Sequence, residues 1–255
     1  VGYGVVGKAC AEAFKQYHEV YVNDVRDIAP EKNCSLENLK NNCDAIFICV
    51  PTPSLPDGSA NLSFIKNVLD KMGVPNTGNK PLIVLKSTVP PTTTLQLQRA
   101  YPFWRFACNP EFLRQNSAYE DMMVPDRIVL GASNVKDMET LAKVYERWNC
   151  KTILCTPTEA EVIKYLSNAF LTAKVAFACE IAKVCKVYGA YSGIVYEGIA
   201  LDKRIGYSHL DPRLGPLKKN SPCLPKDILA LIKSLESNGY ESPLLKNIME
   251  RGIEK

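Results

Sequence analysis

The sequence predicts an α/β fold. A doubly wound, mostly parallel sheet is expected over residues 1–156, followed by a long helix and an all-helical region over 157–255. Three observations carry this. Short apolar runs alternate with helix-length segments through the first 156 residues, the pattern of a parallel sheet covered on both faces. A G-x-G-x-x-G motif opens the chain ahead of a helical pattern. From residue 157 onward strand-like runs stop and apolar residues recur at helical spacing.

The elements follow in order. "VGYGVVGKACAEAFKQY" carries Gly2, Gly4 and Gly7, with Tyr3, Val5 and Val6 between them. Glycines at this spacing let backbone approach a pyrophosphate, whose charge is stabilised by the following helix N-terminus. A Rossmann unit has a strand before the first glycine. Only Val1 precedes Gly2, so a few further N-terminal residues are expected. "EVYVNDV" (19–25) reads as the next strand, ending near Asp24. That aspartate follows Gly4 by 20 residues, where the carboxylate that bonds the adenosine ribose belongs. No arginine directly precedes Asp24, which favours NAD over NADP, while Arg26 keeps NADP open.

Further strands are expected at 44–50, 81–88, 105–111, 127–133 and 151–156, with helices at about 61–73, 92–101 and 135–147. Three strand ends turn polar: "VPTPS" with Val50, Pro51 and Thr52, "KSTVPPTTT" with Ser87 and Thr88, and "NPEFLRQ" with Glu111. Ligands of a parallel sheet bind beyond the carboxyl ends of its strands, so Thr52, Thr88 and Glu111 are expected to line one crevice. Ordinary turn chemistry is the alternative for the two threonines, and a solvated carboxylate for Glu111.

Residues 157–190 read as one helix, about 45 Å long at ~1.5 Å per residue. Thr158 with Glu161 resembles a capping box, and Gly189 would end the helix. Lys164 and Asn168 share a helix face at i,i+4. Helices are expected at about 191–202, 225–238 and 241–253, around an irregular loop at 205–224. Cys223 precedes Pro225, Lys226 and Asp227 at a helix start. Pro suits the first helical position and Asp the first turn. A thiol there feels the positive end of the helix dipole, which favours thiolate and nucleophilic attack; an inert apolar thiol is the alternative.

Composition narrows the function. Hydrophobic content of 46%, charged content of 23% and a net charge of +4 describe an ordinary globular chain with no dense basic surface for nucleic acid. No apolar run reaches the ~18 residues of a membrane helix, and the opening residues lack the form of a secretory signal. Ten cysteines without a C-x-x-C pair, beside only two histidines, argue against zinc and for buried thiols in a reducing cytoplasm.

Together the motifs resemble the UDP-glucose/GDP-mannose dehydrogenase family. The matching pieces run in order along almost the whole chain: "GYGVVG", "VPTPSLPDGSANLS", "KSTVPPTTT", "NPEFLRQNSAYEDMMVPDRIVLG", "EAEVIKYLSNAFLTAKVAFACEIAKVC", "ALDKRIG" and "CLPKD". The resemblance implies a Rossmann domain, a central domain of the 6-phosphogluconate-dehydrogenase type, and NAD as cofactor. It implies four-electron oxidation of a nucleotide sugar, most like UDP-glucose to UDP-glucuronate. Cys223 would pass through a thiohemiacetal and a thioester. Lys164 and Asn168 would stabilise the oxyanion, Asp227 with Thr88 and a water would handle protons, and Glu111 would be the base in hydrolysis. Phe112, Leu113 and Arg114 would lie along the sugar nucleotide. Dimers would form through the long helix, with Arg204 reaching into the partner's site.

The chain also departs from the family pattern. NPEFLRE becomes NPEFLRQ, with Gln115 in place of a carboxylate. A G-x-G-G segment before the cysteine becomes "DPRLGPLKKNSPC", with Gly215 alone and with Lys218, Lys219 and Asn220. About 30 residues follow Cys223, fewer than the family's C-terminal nucleotide-holding domain needs. Two other readings stay open: a non-catalytic relative that binds NAD or nucleotide sugar or partners a full-length enzyme, and a two-electron dehydrogenase that would not need Cys223.

Overall fold

The computed structural model describes residues 1–26, 33–75, 80–219, 221 and 223–254. Its contacts divide it into two compact units, Val1–Pro53 with Ala60–Lys164, and Ser54–Ser59 with Tyr165–Lys255.

The first unit holds helices α1 (Val5–Phe14), α2 (Leu36–Asn42), α3 (Ser63–Met72), α4 (Thr93–Ala100), α5 (Ala118–Met123) and α6 (Val135–Val144). Its strands are β1 (Ala45–Ile48), β2 (Leu82–Leu85), β3 (Arg105–Cys108), β4 (Arg127–Ala132) and β5 (Lys151–Cys155), in spatial order β1-β2-β3-β4-β5. β1–β2, β2–β3 and β4–β5 are parallel, and β3–β4 is antiparallel. β2 shows why the sheet is wound on both sides. Side chains alternate along a strand. Leu82 and Val84 therefore enter a core with Phe14 of α1, Met122 of α5 and Leu141 of α6. Ile83 and Leu85 enter another with Ile65 and Leu69 of α3 and Leu97 of α4. All four β2 residues are buried, as a continuous apolar run requires.

One expected strand is corrected. Residues 19–25 form only an isolated bridge, Val22 with Asn33. A strand needs a ladder along its length. Here the segment makes single backbone bonds, Gly2 N–H to Asn23 O at 2.8 Å and Cys34 N–H to Val22 O at 2.7 Å, and no ladder among the described residues. β1, β2 and β3 stop two or three residues before their expected polar ends, which continue as loops, and β4 and β5 stop one residue early. α2 and α5 are short helices that the apolar periodicity did not mark.

Helix α7 (Pro157–Tyr188) leaves the sheet and continues into the second unit, the boundary falling between Lys164 and Tyr165. Its start is capped by Thr156 and Glu159, not by Thr158 and Glu161: Thr156 N–H donates to Glu159 Oε2 at 2.7 Å, and Glu159 N–H returns to Thr156 Oγ1 at 3.3 Å. Proline suits the first helical position, so Pro157 assigns the cap to the residue before it. Gly131 lets this first turn sit on the sheet, since a Cβ there would come within 2.8 Å of Ala160 Cβ. At the other end Gly189, at φ +66°, terminates the helix.

The second unit adds helices α8 (Ser192–Ala200), α9 (Leu224–Ser237) and α10 (Pro243–Gly252). Among its described residues the regular elements from Tyr165 onward are helices, with an isolated Leu217–Ile253 bridge beside them. Ser54–Ser59 docks on α9. Gly58 has φ +89°, and a Cβ on it would meet Leu229 Cγ at 2.7 Å. Gly58→Ala is therefore expected to lower unfolding stability by about 2 kcal/mol, read as a shift in denaturant midpoint at unchanged m-value. A midpoint equal to wild type would show that Leu229 gives way.

Candidate active site

In the first unit the glycine turn is built for close backbone approach. Gly2, at φ +87°, lies against β1's exit, and a Cβ there would meet Cys49 O at 2.7 Å. A Cβ on Gly7 would fall 1.8 Å from Gly2 O, so no other residue fits. Gly4 has nothing within 4 Å of its Cβ position and is the N-cap of α1 without a side-chain cap. The first N–H groups of α1, from Val5 and Val6 to Gly7, have no intrahelical acceptor, and the Cβ position of Gly4 beside them is open, as a pyrophosphate cradle needs. Asp24 Oδ2 accepts from Tyr3 N–H at 2.6 Å and its Oδ1 from Arg26 Nε at 2.9 Å. The Arg26 guanidinium holds this carboxyl well below the usual range, against the upward push of burial, so it is ionised.

The three polar strand ends lie at the carboxyl ends of adjacent strands β1, β2 and β3. Thr52 Oγ1 donates to Thr88 O at 2.8 Å, and Ser87 Oγ to Val50 O at 2.6 Å, so the loops after β1 (Val50, Pro51, Thr52) and β2 are tied. Directly beneath, buried Lys86 Nζ donates to Asn109 Oδ1 at 2.8 Å and to Tyr145 Oη at 3.3 Å. Sequence reasoning missed this trio; a lysine closing the apolar run "PLIVL" was its only signal.

After β3, Glu111 Oε1 accepts from Lys164 Nζ at 3.0 Å, and its Oε2 from Leu113 N–H at 2.6 Å. Lys164 is buried, with Phe112 as a second neighbour, its Nζ 5.4 Å from the ring centroid. The structure thus joins two predicted site residues 53 positions apart. Arg114 is engaged elsewhere, its Nη2 2.5 Å from Asp121 Oδ1, and it lowers that carboxyl to about 2. Gln115 begins a short 3₁₀ turn, Gln115–Ser117.

In the second unit Cys223 is the exposed N-cap of α9, with Pro225 in the first turn. Asp227 N–H donates to Cys223 O at 2.9 Å. The Asp227 side chain is buried and takes Asn168 Nδ2 at 2.6 Å and Lys226 Nζ at 2.5 Å. Asn168, Asp227 and Lys226 form a closed polar group one helical turn from the thiol. Arg204, at 88% side-chain exposure, pairs with Asp202. Of the altered loop, Gly215 has φ +69° and Ser221 N–H donates to Lys218 O at 2.9 Å, while Asn220 and Pro222 lie outside the described residues.

Residues 19–149 match the UDP-glucose/GDP-mannose dehydrogenase family, NAD binding domain, and residues 158–251 match the central domain of the same family. The chain belongs to the UDP-glucose/GDP-mannose dehydrogenase family. It is 39% identical over 220 residues to the UDP-glucose 6-dehydrogenase of Haloferax volcanii, covering 80% of this chain and 50% of that protein. It is 39% identical over 227 residues to that of Rickettsia bellii, covering 86% and 51%. A solved UDP-glucose dehydrogenase from Pyrobaculum islandicum superposes with a TM-score of 0.79 at 39% identity, covering 86% of this chain and 52% of that one. The chain spans about half the length of the curated relatives it matches. The family's cofactor, NAD, fits the glycine turn and ionised Asp24 described above. Among the described residues, no helix is long and apolar enough to cross a membrane.

Proposed function

We propose that the protein oxidises a nucleotide sugar, UDP-glucose in the first instance, from the C6 alcohol to the acid in an NAD-dependent four-electron reaction. The observation that carries this reading is Cys223, exposed at the N-cap of α9 beside the buried Asn168–Asp227–Lys226 group. NAD held by Gly2, Tyr3, Gly4, Val5, Val6, Gly7 and Asp24, with Val50, Pro51, Thr52, Ser87 and Thr88 beside it, supplies the hydride acceptor for each two-electron step.

The chain's own residues do the rest. Cys223 attacks the aldehyde carbon and forms a thiohemiacetal, and after the second oxidation it carries the acid as a thioester. Lys164 and Asn168, one turn apart in α7, offer a cation and an amide N–H to the oxygen that gains charge. Buried Asp227 takes up the proton that leaves, with Thr88 positioning a water. Glu111, held ready by Lys164 and Leu113 N–H, acts as base when water cleaves the thioester. In this reading Phe112 and Leu113 lie along the sugar nucleotide, and Arg114 joins them by leaving Asp121. The face of α7 bearing Leu166, Phe170, Phe177 and Tyr188, each more than half exposed, suits a homodimer contact, with Arg204 reaching the partner's site. A cytoplasmic location accords with ten cysteines that are all free thiols.

The deciding assay supplies NAD with UDP-glucose or GDP-mannose and counts NADH per acid formed. Two NADH per acid are expected. Binding of NAD without turnover of either sugar would overturn the proposal in favour of a non-catalytic relative, the reading that Gln115 and the single-glycine loop motivate.

A further inference from the structure

Glu161 has no part in the chemistry above, yet it is one of the most deeply buried carboxylates, at 1% exposure. It lies on α7, three residues before Lys164. Its partners lie on another element. Glu161 Oε2 accepts from Thr92 N–H at 2.6 Å. Its Oε1 accepts from Thr94 N–H at 2.8 Å and from Thr94 Oγ1 at 2.6 Å. Thr92 is the N-cap of α4, but its own side chain makes no cap hydrogen bond. Its φ of +75° is a left-handed conformation unusual for a β-branched residue. A backbone in that region persists only where its surroundings hold it. The carboxylate does so: it satisfies two of the orphan N–H groups of α4 and places a negative charge at the positive end of that helix.

The consequence reaches Thr88. The turn Thr88–Thr92 is pinned at its start by the Thr52 Oγ1–Thr88 O bond. At its end it is pinned by Glu161. One helical turn along α7, Lys164 holds Glu111 after β3. A single stretch of α7 therefore fixes both the loop after β2 and the loop after β3.

We propose that Glu161 is a positioning residue, which caps α4 from α7 and sets the Thr88 turn against the Lys164–Glu111 pair. This rests on the dehydrogenase reading above. Burial pushes the Glu161 carboxyl up to about 7, against the pull of its three donors. The titratable group facing it from β3 is Cys108, whose thiol burial holds well above its ordinary value and therefore neutral. The ionised form is the better acceptor for three donors, so the turn is held best above pH 7. The folded-state pKa lies above the unfolded one, so stability falls as pH rises from about 4.5 through about 7. Stability and positioning therefore run in opposite directions with pH.

Glu161→Gln keeps the volume but turns a donor toward N–H groups. The variant is expected to fold, with amide exchange at Thr92 and Thr94 accelerated about tenfold. Its kcat should fall by about 10- to 100-fold with the KM for nucleotide sugar near wild type, as a displaced catalytic group predicts. Wild-type kcat is expected to rise through about pH 7 as the carboxyl ionises; that rise should flatten in Glu161→Gln, and Glu161→Asp should recover part of it. Wild-type exchange at the two amides, or an unchanged kcat and pH profile in a folded Glu161→Gln protein, would overturn the inference. Should the wild type oxidise no nucleotide sugar, the dehydrogenase reading fails separately. NAD affinity then judges the tie: weakened in Glu161→Gln it supports the inference, unchanged it overturns it.

Discussion

Cys223→Ser is expected to abolish acid formation, lowering turnover on the order of 10³-fold or more, the scale set by removing a covalent nucleophile. The thiol matters because it converts an aldehyde, which has no good way to give up a second hydride, into a thiohemiacetal that does. A serine hydroxyl is a far weaker nucleophile unless a base deprotonates it. The first oxidation does not need the thiol, so the variant should release at most one NADH per sugar. Cys223 is exposed, so unfolding stability should stay within about 0.5 kcal/mol of wild type. The measurement is NADH per sugar in wild type and variant, with thermal unfolding alongside. Full-rate production of two NADH per acid by the serine variant would remove Cys223 from the mechanism. One NADH per turnover in both proteins would identify a two-electron dehydrogenase on the same scaffold.

Legibility in the sequence divides by the range of the interactions involved. The strands β1 to β4 could be read because each is a short apolar run whose burial needs only that the sheet faces be covered, and β5 from its run alone, since it stays largely exposed at the sheet edge. The length of α7 could be read because no residue between Pro157 and Gly189 interrupts a helical period. The strand at 19–25 misled because alternation of apolar residues predicts a willing strand, not the presence of a partner ladder. Cap identity failed for a local reason: Thr158 and Glu161 have capping-box spacing, but Pro157 moves the cap back to Thr156. That error concealed the function of Glu161, whose acceptors serve Thr92 and Thr94, 69 and 67 residues away. The Lys86–Asn109–Tyr145 trio was equally invisible, since each member looks ordinary within its own segment. Lys164, Asn168 and Cys223 were read mainly through the resemblance. What the fold adds is their partners: Glu111 for the first, Asp227 for the second, and an α9 N-cap for the third.

Lys164→Met is expected to lower both stability and rate. Lys164 and Glu111 have side-chain exposures of 6% and 13%, with Nζ and Oε1 3.0 Å apart. Removing the ammonium leaves a largely desolvated carboxylate with only the Leu113 N–H bond on its other oxygen. Breaking a buried pair from one side costs about 3 kcal/mol, mostly from the charge left behind. If that is the mechanism, neutralising the orphan should relieve it. Lys164→Met/Glu111→Gln should then be more stable than Lys164→Met alone, a coupling of about 1–3 kcal/mol in a double-mutant cycle. Catalysis should behave differently. A lysine that stabilises a developing oxyanion is worth on the order of 10²- to 10³-fold in kcat, and the double variant restores neither this cation nor the base. Stability should therefore recover while activity does not. Denaturant unfolding and steady-state rates on the same four proteins test both halves. Additive stabilities would show that the pair contributes nothing specific to the fold. Recovered activity in the double variant would place both Lys164 and Glu111 outside the chemistry and leave the lysine only the task of neutralising the Glu111 charge.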